Sequence, residues 1–190
     1  MSFLGEGTRF QGTPRGTAEF SLDDRYRYTL TRTIHGAPPG RAVLFVMLNP
    51  STADGLADDA TIRRCIGFAR SWGYAQLFVG NLFALRSTDP RGLLEGLGAK
   101  DPIGPENDRA LRAMVGKAER VVCAWGAHAV LGKMLAERAE YVENLILGAG
   151  GWPGALGHAK SGQPLHPLRL RADLQIVPHP PTTFAPRGAA

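Results

Sequence analysis

Cysteine, lysine and long apolar runs are scarce in this 190-residue chain. Cys65 and Cys123 are its only cysteines, so neither a disulfide framework nor a four-thiolate iron–sulfur cluster can form within it. No apolar run approaches the roughly 20 residues of a membrane-spanning helix, and the first residues do not resemble a secretory signal. We therefore expect a cytoplasmic protein that does not bind a membrane.

The familiar spacings of metal, phosphate and hydrolase sites are also missing. The sequence contains no His-Glu-x-x-His or Cys-x-x-Cys pair, no Gly-x-Ser-x-Gly and no Walker phosphate loop. None of these motifs therefore predicts a metal or another cofactor.

Positive charge is in excess, with 22 lysines and arginines against 17 acidic residues and a net charge of +5. Only Lys100, Lys117, Lys133 and Lys160 are lysines, and the other cations are arginines, whose planar forks suit phosphates and base edges. A GC-rich genome enriches arginine, alanine and glycine together and is the alternative explanation. The charge is therefore compatible with a nucleic-acid partner but does not by itself require one.

The length and an apolar fraction of 44% predict one folded domain. Residues 1–19 are rich in Gly, Thr and Arg without an apolar period, so we expect a flexible arm there and a single domain over 20–190. Residues 20–34 carry alternating aromatic and polar residues around Asp23-Asp24, which predicts an antiparallel hairpin.

Continuous apolar runs predict strands that are buried on both faces of a parallel sheet. They occur at 42–48, 77–82 and 120–125, and less clearly at 141–147. Helical periods over 62–72, 106–118 and 127–138 alternate with them. This alternation predicts an α/β fold, a three-layer α/β/α sandwich with a central, mostly parallel four-stranded sheet and an N-terminal β-hairpin.

Polar residues gather where these strands end, which is where α/β sheets bind ligands. The segments concerned are Asn49-Pro50-Ser51-Thr52-Ala53-Asp54, Arg86-Ser87-Thr88-Asp89-Pro90, Trp125-Gly126-Ala127-His128, and the Gly-rich loop that reaches His166. Other roles are open for some of them. The Asn-Pro-Ser-Thr run is also typical of a turn, and Asp54, Asp58 and Asp59 suit either a divalent cation or the start of a helix.

Two resemblances rest on these segments. The run 47–90, with 104–108 and 160–168, closely resembles a bacterial and phage family catalogued as a domain of unknown function. More distantly, the order of the loops resembles the uracil-DNA glycosylase superfamily, in particular its mismatch-specific thymine/uracil branch. Leu48-Asn49-Pro50-Ser51 is similar to the first motif of that branch, and His166-Pro167-Leu168-Arg169-Leu170 to its last.

The second resemblance implies a role for each matched residue. Asn49 would position the attacking water, and His166 would support the departing base. Substrate contacts would come from Pro50, Ser51, Asp54, Asn81 and Trp125. The resemblance also makes Leu168 and Leu170 candidates for insertion into the duplex. The strand prediction places Arg63, Arg64, Arg86 and Arg169 near the carboxyl edge, where they, with Ser87, would contact DNA.

The chain departs from the pattern of that branch at three places. Met47 and Ser51 replace the glycines that flank the asparagine–proline pair, and no stacking aromatic residue follows Asp59. His179-Pro180 is a second His-Pro pair that competes with His166-Pro167 for the last motif.

The leading hypothesis is a monofunctional DNA glycosylase, acting as a monomer on a damaged, mismatched or modified pyrimidine flipped out of duplex DNA. A binding module that recognises a modified base without cutting it is the alternative, and a metal-dependent nucleotide or phosphoester hydrolase is a third reading. Repair and defence against phage with modified DNA are both open roles.

Overall fold

A mixed sheet of eight strands lies at the centre of the molecule. The computed structural model describes residues 2–5, 7–13, 15–36, 40–51, 53, 56–95 and 101–180. The strands are β1 (Thr8–Thr13), β2 (Gly16–Ser21), β3 (Arg27–Thr33), β4 (Ala42–Met47), β5 (Gln76–Asn81), β6 (Arg120–Cys123), β7 (Pro153–Ala155) and β8 (Val177–Pro178). The helices are α1 (Ala60–Ser71), α2 (Gly92–Glu95), α3 (Asn107–Val115) and α4 (Gly132–Gly148), with short 3-10 helices at Ala129–Leu131 and Pro167–Arg169.

The strands lie in the order β1-β2-β3-β5-β4-β6-β7-β8. Neighbouring strands from β5 through β4 and β6 to β7 are parallel, whereas β1 to β3 on one side and β8 on the other pair antiparallel. Because parallel strands end at the same edge, the segments that follow β4, β5, β6 and β7 lie near one another.

Helices cover both faces of the parallel strands. Val43 and Phe45 of β4 pack with the α1 side chains, whereas Leu44 and Val46 pack with those of α3 and α4. This explains why β4 is continuously apolar rather than alternating: every side chain on it meets a helix layer. Among the described residues, no helix is long and apolar enough to cross a membrane.

The expected hairpin around Asp23 and Asp24 is confirmed. Strands β2 and β3 pair antiparallel, and Asp24 adopts the left-handed region with φ 56°. Aspartate tolerates that conformation better than most residues with a side chain.

The flexible arm expected over residues 1–19 is not what the structure shows, because the described part of that segment contains β1 and most of β2. Strands β1 and β2 extend the sheet, and the buried Glu19 carboxylate accepts hydrogen bonds from the backbone amides of Phe3 and Leu4 and from Thr29 Oγ1. The prediction failed because this part of the sheet is held by backbone pairing and one buried acid, which leave little apolar signal.

The prediction of a fourth strand over 141–147 is wrong. Those residues lie in α4, where Leu135, Ala139, Val142 and Ile146 recur at helical spacing and face the core. The fourth parallel strand is instead β7, whose Pro-Gly-Ala sequence has little strand propensity and is ordered by pairing with β6.

Candidate functional site

A polar cavity of about 170 Å³ opens at the carboxyl edge of the parallel strands. An apolar protein cavity of about 150 Å³ holds benzene, so this cavity has room for a single ring. Its lining consists of Arg27, Met47, Leu48, Asn49, Ser51, Asp59, Thr61, Ile62, Ser87, Thr88, Pro90, His128 and His166.

A larger groove of about 630 Å³ lies beside α4. Its buried Arg138 already donates to Asp108 at 2.5 Å and to the Leu82 carbonyl at 2.7 Å. None of the described site residues predicted from the sequence lines this groove. The polar cavity is therefore the candidate functional site.

Backbone pairing beyond the ends of β4 and β5 brings the site loops together. The Phe83 amide donates to the Leu48 carbonyl at 2.9 Å, and the Ser87 amide donates to the Pro50 carbonyl at 3.0 Å. The two loops thus run side by side, which places Ser87 next to the Asn49 turn.

Asn49 is held in one orientation by its amide nitrogen. Its Nδ2 donates to the carbonyls of Ser87, at 2.7 Å, and Pro50, at 3.1 Å. Across the described part of the chain, the oxygen Oδ1 accepts no hydrogen bond. Asn49 therefore has an acceptor oxygen available to a ligand.

Ser51 and Asp59 form a hydrogen-bonded pair in the wall of the cavity. Ser51 Oγ donates to Asp59 Oδ2 at 2.6 Å, while Asp59 Oδ1 accepts from the Ile62 amide at 2.8 Å and caps α1. Because the serine proton is used by the carboxylate, Ser51 can only accept hydrogen bonds from a ligand. The helix-capping role considered for Asp59 is confirmed, and the contact with Ser51 adds a second.

His166 presents a donor, and its tautomer follows from its contacts. Its Nδ1 accepts from the Leu168 amide at 3.3 Å, so in the neutral ring Nε2 carries the proton. Burial lowers the pKa of His166 below its ordinary value of 6.5, and nearby His128 lowers it further, while Asp59 opposes them. His166 is therefore neutral at pH 7. His128 also lines the cavity, with Nε2 donating to the Trp125 carbonyl at 2.8 Å.

Arg27 is a lining residue that sequence reasoning missed. It is only 2% exposed, and its Nη1 donates to the Ala53 carbonyl at 2.5 Å. In the sequence it belongs to an alternating hairpin pattern, which assigns arginines to the solvent face. Its burial next to the cavity depends on where β3 begins relative to the loop after β4, which no local pattern reports.

Several predicted substrate contacts lie away from the cavity. Trp125 is fully buried, with Nε1 donating to Gln163 Oε1 at 2.7 Å, and Asn81 is 1% exposed beneath the edge. Asn81 pairs in register with Met47, which does line the cavity. Pro50 contributes its carbonyl to the loop rather than a surface to the cavity, and Asp54 lies outside the described residues.

The two His-Pro pairs occupy different environments. His166 lines the cavity, whereas His179 is buried between Glu143 Oε1, at 3.0 Å from Nε2, and His158 Nε2, at 2.8 Å from Nδ1. His179 therefore fastens the C-terminal part of the described chain to α4, and His166 is the histidine at the site.

The predicted DNA-contacting arginines differ in availability. Arg63 and Arg169 are exposed, although Arg63 Nη1 donates to the Asp58 carbonyl at 2.6 Å. Arg86 lines a shallow groove beside the cavity, and its Nη1 donates to the Asp24 carbonyl at 3.1 Å. Arg64 is used internally, because its guanidinium donates to the Leu170 carbonyl and lies over a phenylalanine ring of α1.

Leu168 and Leu170 also differ. Leu170 packs against the apolar cluster under α1. It is therefore not available for insertion into the duplex, contrary to the expectation from the sequence. Leu168 is 42% exposed and lies two residues after the lining residue His166.

The fold and the cavity define an α/β protein with a polar ligand site at the carboxyl edge of its parallel strands. The chain belongs to the family described as "Protein of unknown function (DUF1643)", which matches residues 27–168. That range begins at Arg27 and extends past His166, so it contains every described residue of the cavity lining. The comparisons with curated proteins and with solved structures give no match.

Proposed function

We propose that the protein is a monofunctional DNA glycosylase that hydrolyses the N-glycosidic bond of a damaged, mismatched or modified pyrimidine. The observation that carries the proposal is the pairing of an acceptor with a donor in one ring-sized cavity: Asn49 Oδ1 and His166 Nε2. Hydrolysis of such a bond needs a placed water and a hydrogen bond to the departing base.

The charges of the lining suit the departure of a base. Negative charge develops on the base as the bond breaks, and fixed donors lower the energy of that state. His166 donates through Nε2 as a neutral ring, and the buried Arg27 guanidinium adds a positive charge to the same cavity. Asn81 and Trp125 do not line the cavity, so the proposal gives them no direct contact with the base.

The surroundings of the cavity suit a flipped nucleotide. Extrusion of a base costs a few kcal/mol, and an apolar side chain that fills the gap offsets part of that cost. Leu168 is the exposed apolar residue next to His166. Arg86 in the adjacent groove, with Ser87, and the exposed Arg63 and Arg169 are the phosphate contacts we propose.

The test is incubation with duplexes that carry uracil, thymine mismatches, or hydroxymethylated and glucosylated pyrimidines, followed by cleavage at abasic sites. We expect product from at least one duplex, and a loss of about 10²–10⁴-fold in single-turnover rate for Asn49→Ala. Asp173→Asn, in an exposed pair with Arg171, is the matched control and should keep the wild-type rate. Absence of product from every duplex would refute the proposal.

A module that binds a modified base without cutting it is the second candidate. The observations in its favour are that the described lining contains no Phe, Tyr or Trp, and that Met47 occupies the place of a glycine in the resembled branch. Tight, salt-sensitive binding to one of the duplexes without product would support it.

The metal-dependent hydrolase has less support from the geometry. Asp58 Oδ1 accepts from Arg32 Nε at 2.6 Å, and Asp59 is engaged by Ser51 and the Ile62 amide. Activity that a chelator abolishes would revive this candidate.

A further inference from the structure

We propose that Asp59 is the general base of this site and that it acts through Ser51. The inference rests on the proposed function and identifies the group that accepts the proton of the attacking water. It would make Asp59 both the cap of α1 and a catalytic group.

The cavity needs a proton acceptor besides Asn49. A side-chain amide can orient a water molecule, but it is far too weak a base to remove its proton. Asp59 is the only carboxylate in the described lining of the cavity. Of the two histidines there, His166 already accepts through Nδ1, which leaves His128 as the only rival base.

Ser51 connects the carboxylate to the position of the water. Its Oγ lies 2.6 Å from Asp59 Oδ2, and it stands two residues after Asn49 on the same turn. A water that donates one hydrogen to Asn49 Oδ1 and the other to Ser51 Oγ keeps a lone pair free. That lone pair is what attacks the sugar carbon.

The step balances without a further reactant. The water oxygen bonds to the sugar carbon as the carbon–nitrogen bond breaks, and that bond's electron pair leaves with the base. The water proton passes to Ser51 Oγ while the serine proton passes to Asp59 Oδ2. The base departs as an anion that accepts a hydrogen bond from His166 Nε2, and it takes a proton from solvent after release. Asp59 then returns its proton to solvent.

The groups around Asp59 determine how the rate depends on pH. The other ionisable groups in the described lining are Arg27, His128 and His166. Cys65 on α1 lies near Asp59, and burial raises the pKa of its thiol far above neutrality. The thiol is therefore neutral throughout the working range. Substitution of His128 or His166 distinguishes the effect of each histidine on the pH profile from that of Asp59.

The test uses Asp59→Asn, because asparagine caps helices as well as aspartate does and keeps α1 intact. We expect the single-turnover rate to fall about 10²–10⁴-fold and the loss of rate at acidic pH to disappear. Ser51→Ala should lose a similar factor, and the double variant should be no slower than the slower single variant. Circular dichroism and the urea midpoint should match those of the wild type for Asp59→Asn.

The matched control is Asp89→Asn. Asp89 lies between the lining residues Thr88 and Pro90, but its carboxylate pairs with Arg91 and does not line the cavity. This variant should keep the wild-type rate and pH profile. If Asp59→Asn keeps the wild-type single-turnover rate and the same loss of rate at acidic pH, the inference is overturned. The proposed function is unaffected by that result. If the loss of rate at acidic pH disappears in His128→Asn instead, the general base is His128, and the inference is likewise overturned. A wild-type protein without product on any duplex overturns the proposed function itself.

Discussion

Asn81 and Asn107 are two buried amides at the end of β5 that differ in their hydrogen bonding. Both side-chain atoms of Asn81 are buried and have no partner among the residues that the structure describes. Asn107 Nδ2, in contrast, donates to the carbonyls of Asn81, at 3.1 Å, and Leu82, at 3.0 Å. Only Oδ1 of Asn107 is buried without a partner among the described residues. An unpaired buried polar group costs about 1–3 kcal/mol, so Asn81 costs stability at both polar atoms, whereas Asn107 offsets that cost through its two hydrogen bonds.

We expect Asn81→Leu to leave the free energy of unfolding unchanged or to raise it by up to about 1–3 kcal/mol, because it removes an unpaired amide of similar size. Asn107→Leu should lower it by about 1–3 kcal/mol, since the Asn81 carbonyl loses this donor and the Leu82 carbonyl keeps only Arg138 Nε. Urea denaturation of both variants measures the difference. A marked loss of stability in Asn81→Leu would show that its amide has a partner.

His166 makes stability depend on pH near neutrality. Burial and His128 hold its folded-state pKa below the ordinary value of 6.5, so the folded state resists protonation more than the unfolded chain. The resulting stability is present above the unfolded-state pKa and is lost as the pH falls through the folded-state pKa. His158, whose pKa burial and His179 also lower, acts in the same direction.

We therefore expect the free energy of unfolding to decrease between about pH 7.5 and about pH 5.5 and to decrease less in His166→Asn. Urea midpoints at the two pH values provide the measurement, and His158→Asn reports the contribution of the other histidine. An unchanged slope in His166→Asn would mean that the ring titrates alike in both states.

At the scale of elements, the first strands are tied to the sheet by one buried acid. Glu19 on β2 is fully buried and accepts hydrogen bonds from Ser2 Oγ at 2.5 Å, the Phe3 amide at 2.9 Å and Thr29 Oγ1 at 2.8 Å. Every partner is a donor, which a carboxylate satisfies and an amide nitrogen does not.

Glu19→Gln should consequently lower the free energy of unfolding by about 1–3 kcal/mol, because one end of the amide would face donors. Glu137→Gln, on the exposed surface of α4, is the control and should change stability by less than about 0.5 kcal/mol. Chemical denaturation distinguishes them. Equal stability of the two variants would mean that the Glu19 charge contributes little to holding the N-terminal strands.

At the scale of the whole molecule, the arginines matter by position rather than by number. Arg63 lies in the first turn of α1, at the edge of the sheet that holds the cavity, and Arg70 lies in its last turn. Both are exposed. At 1.5 Å per residue, about 10 Å of helix separates them, which is close to the Debye length at 0.1 M salt.

Under the proposed function, Arg63→Ala should weaken duplex binding and reduce the slope of log affinity against log salt by about one. Arg70→Ala removes the same charge from the far end of the helix and should leave that slope unchanged. Fluorescence anisotropy over a salt series makes the comparison. Equal effects from the two variants would indicate that net charge, and not the cavity edge, governs binding.

Local sequence was sufficient for the parts of the protein whose signal is local. The apolar run of β4 predicts a buried strand because both helix layers need apolar side chains from it. The polar turn at Asn49 was found for a related reason, since ligand sites form where such strands end. Strand β7 was missed because pairing with β6, not the propensity of Pro-Gly-Ala, makes it a strand.

The sequence by itself determined the α/β alternation and the edge at which Asn49, Ser51 and His166 would meet. Only the tertiary structure decided which side chains line the cavity. It buries Arg27 there, keeps Asn81 and Trp125 out, and turns the second oxygen of the Asp59 helix cap toward Ser51. The physical reason is that periodicity reports which face of an element is buried, whereas a cavity is formed by loops whose relative positions depend on the packing of every element beneath them.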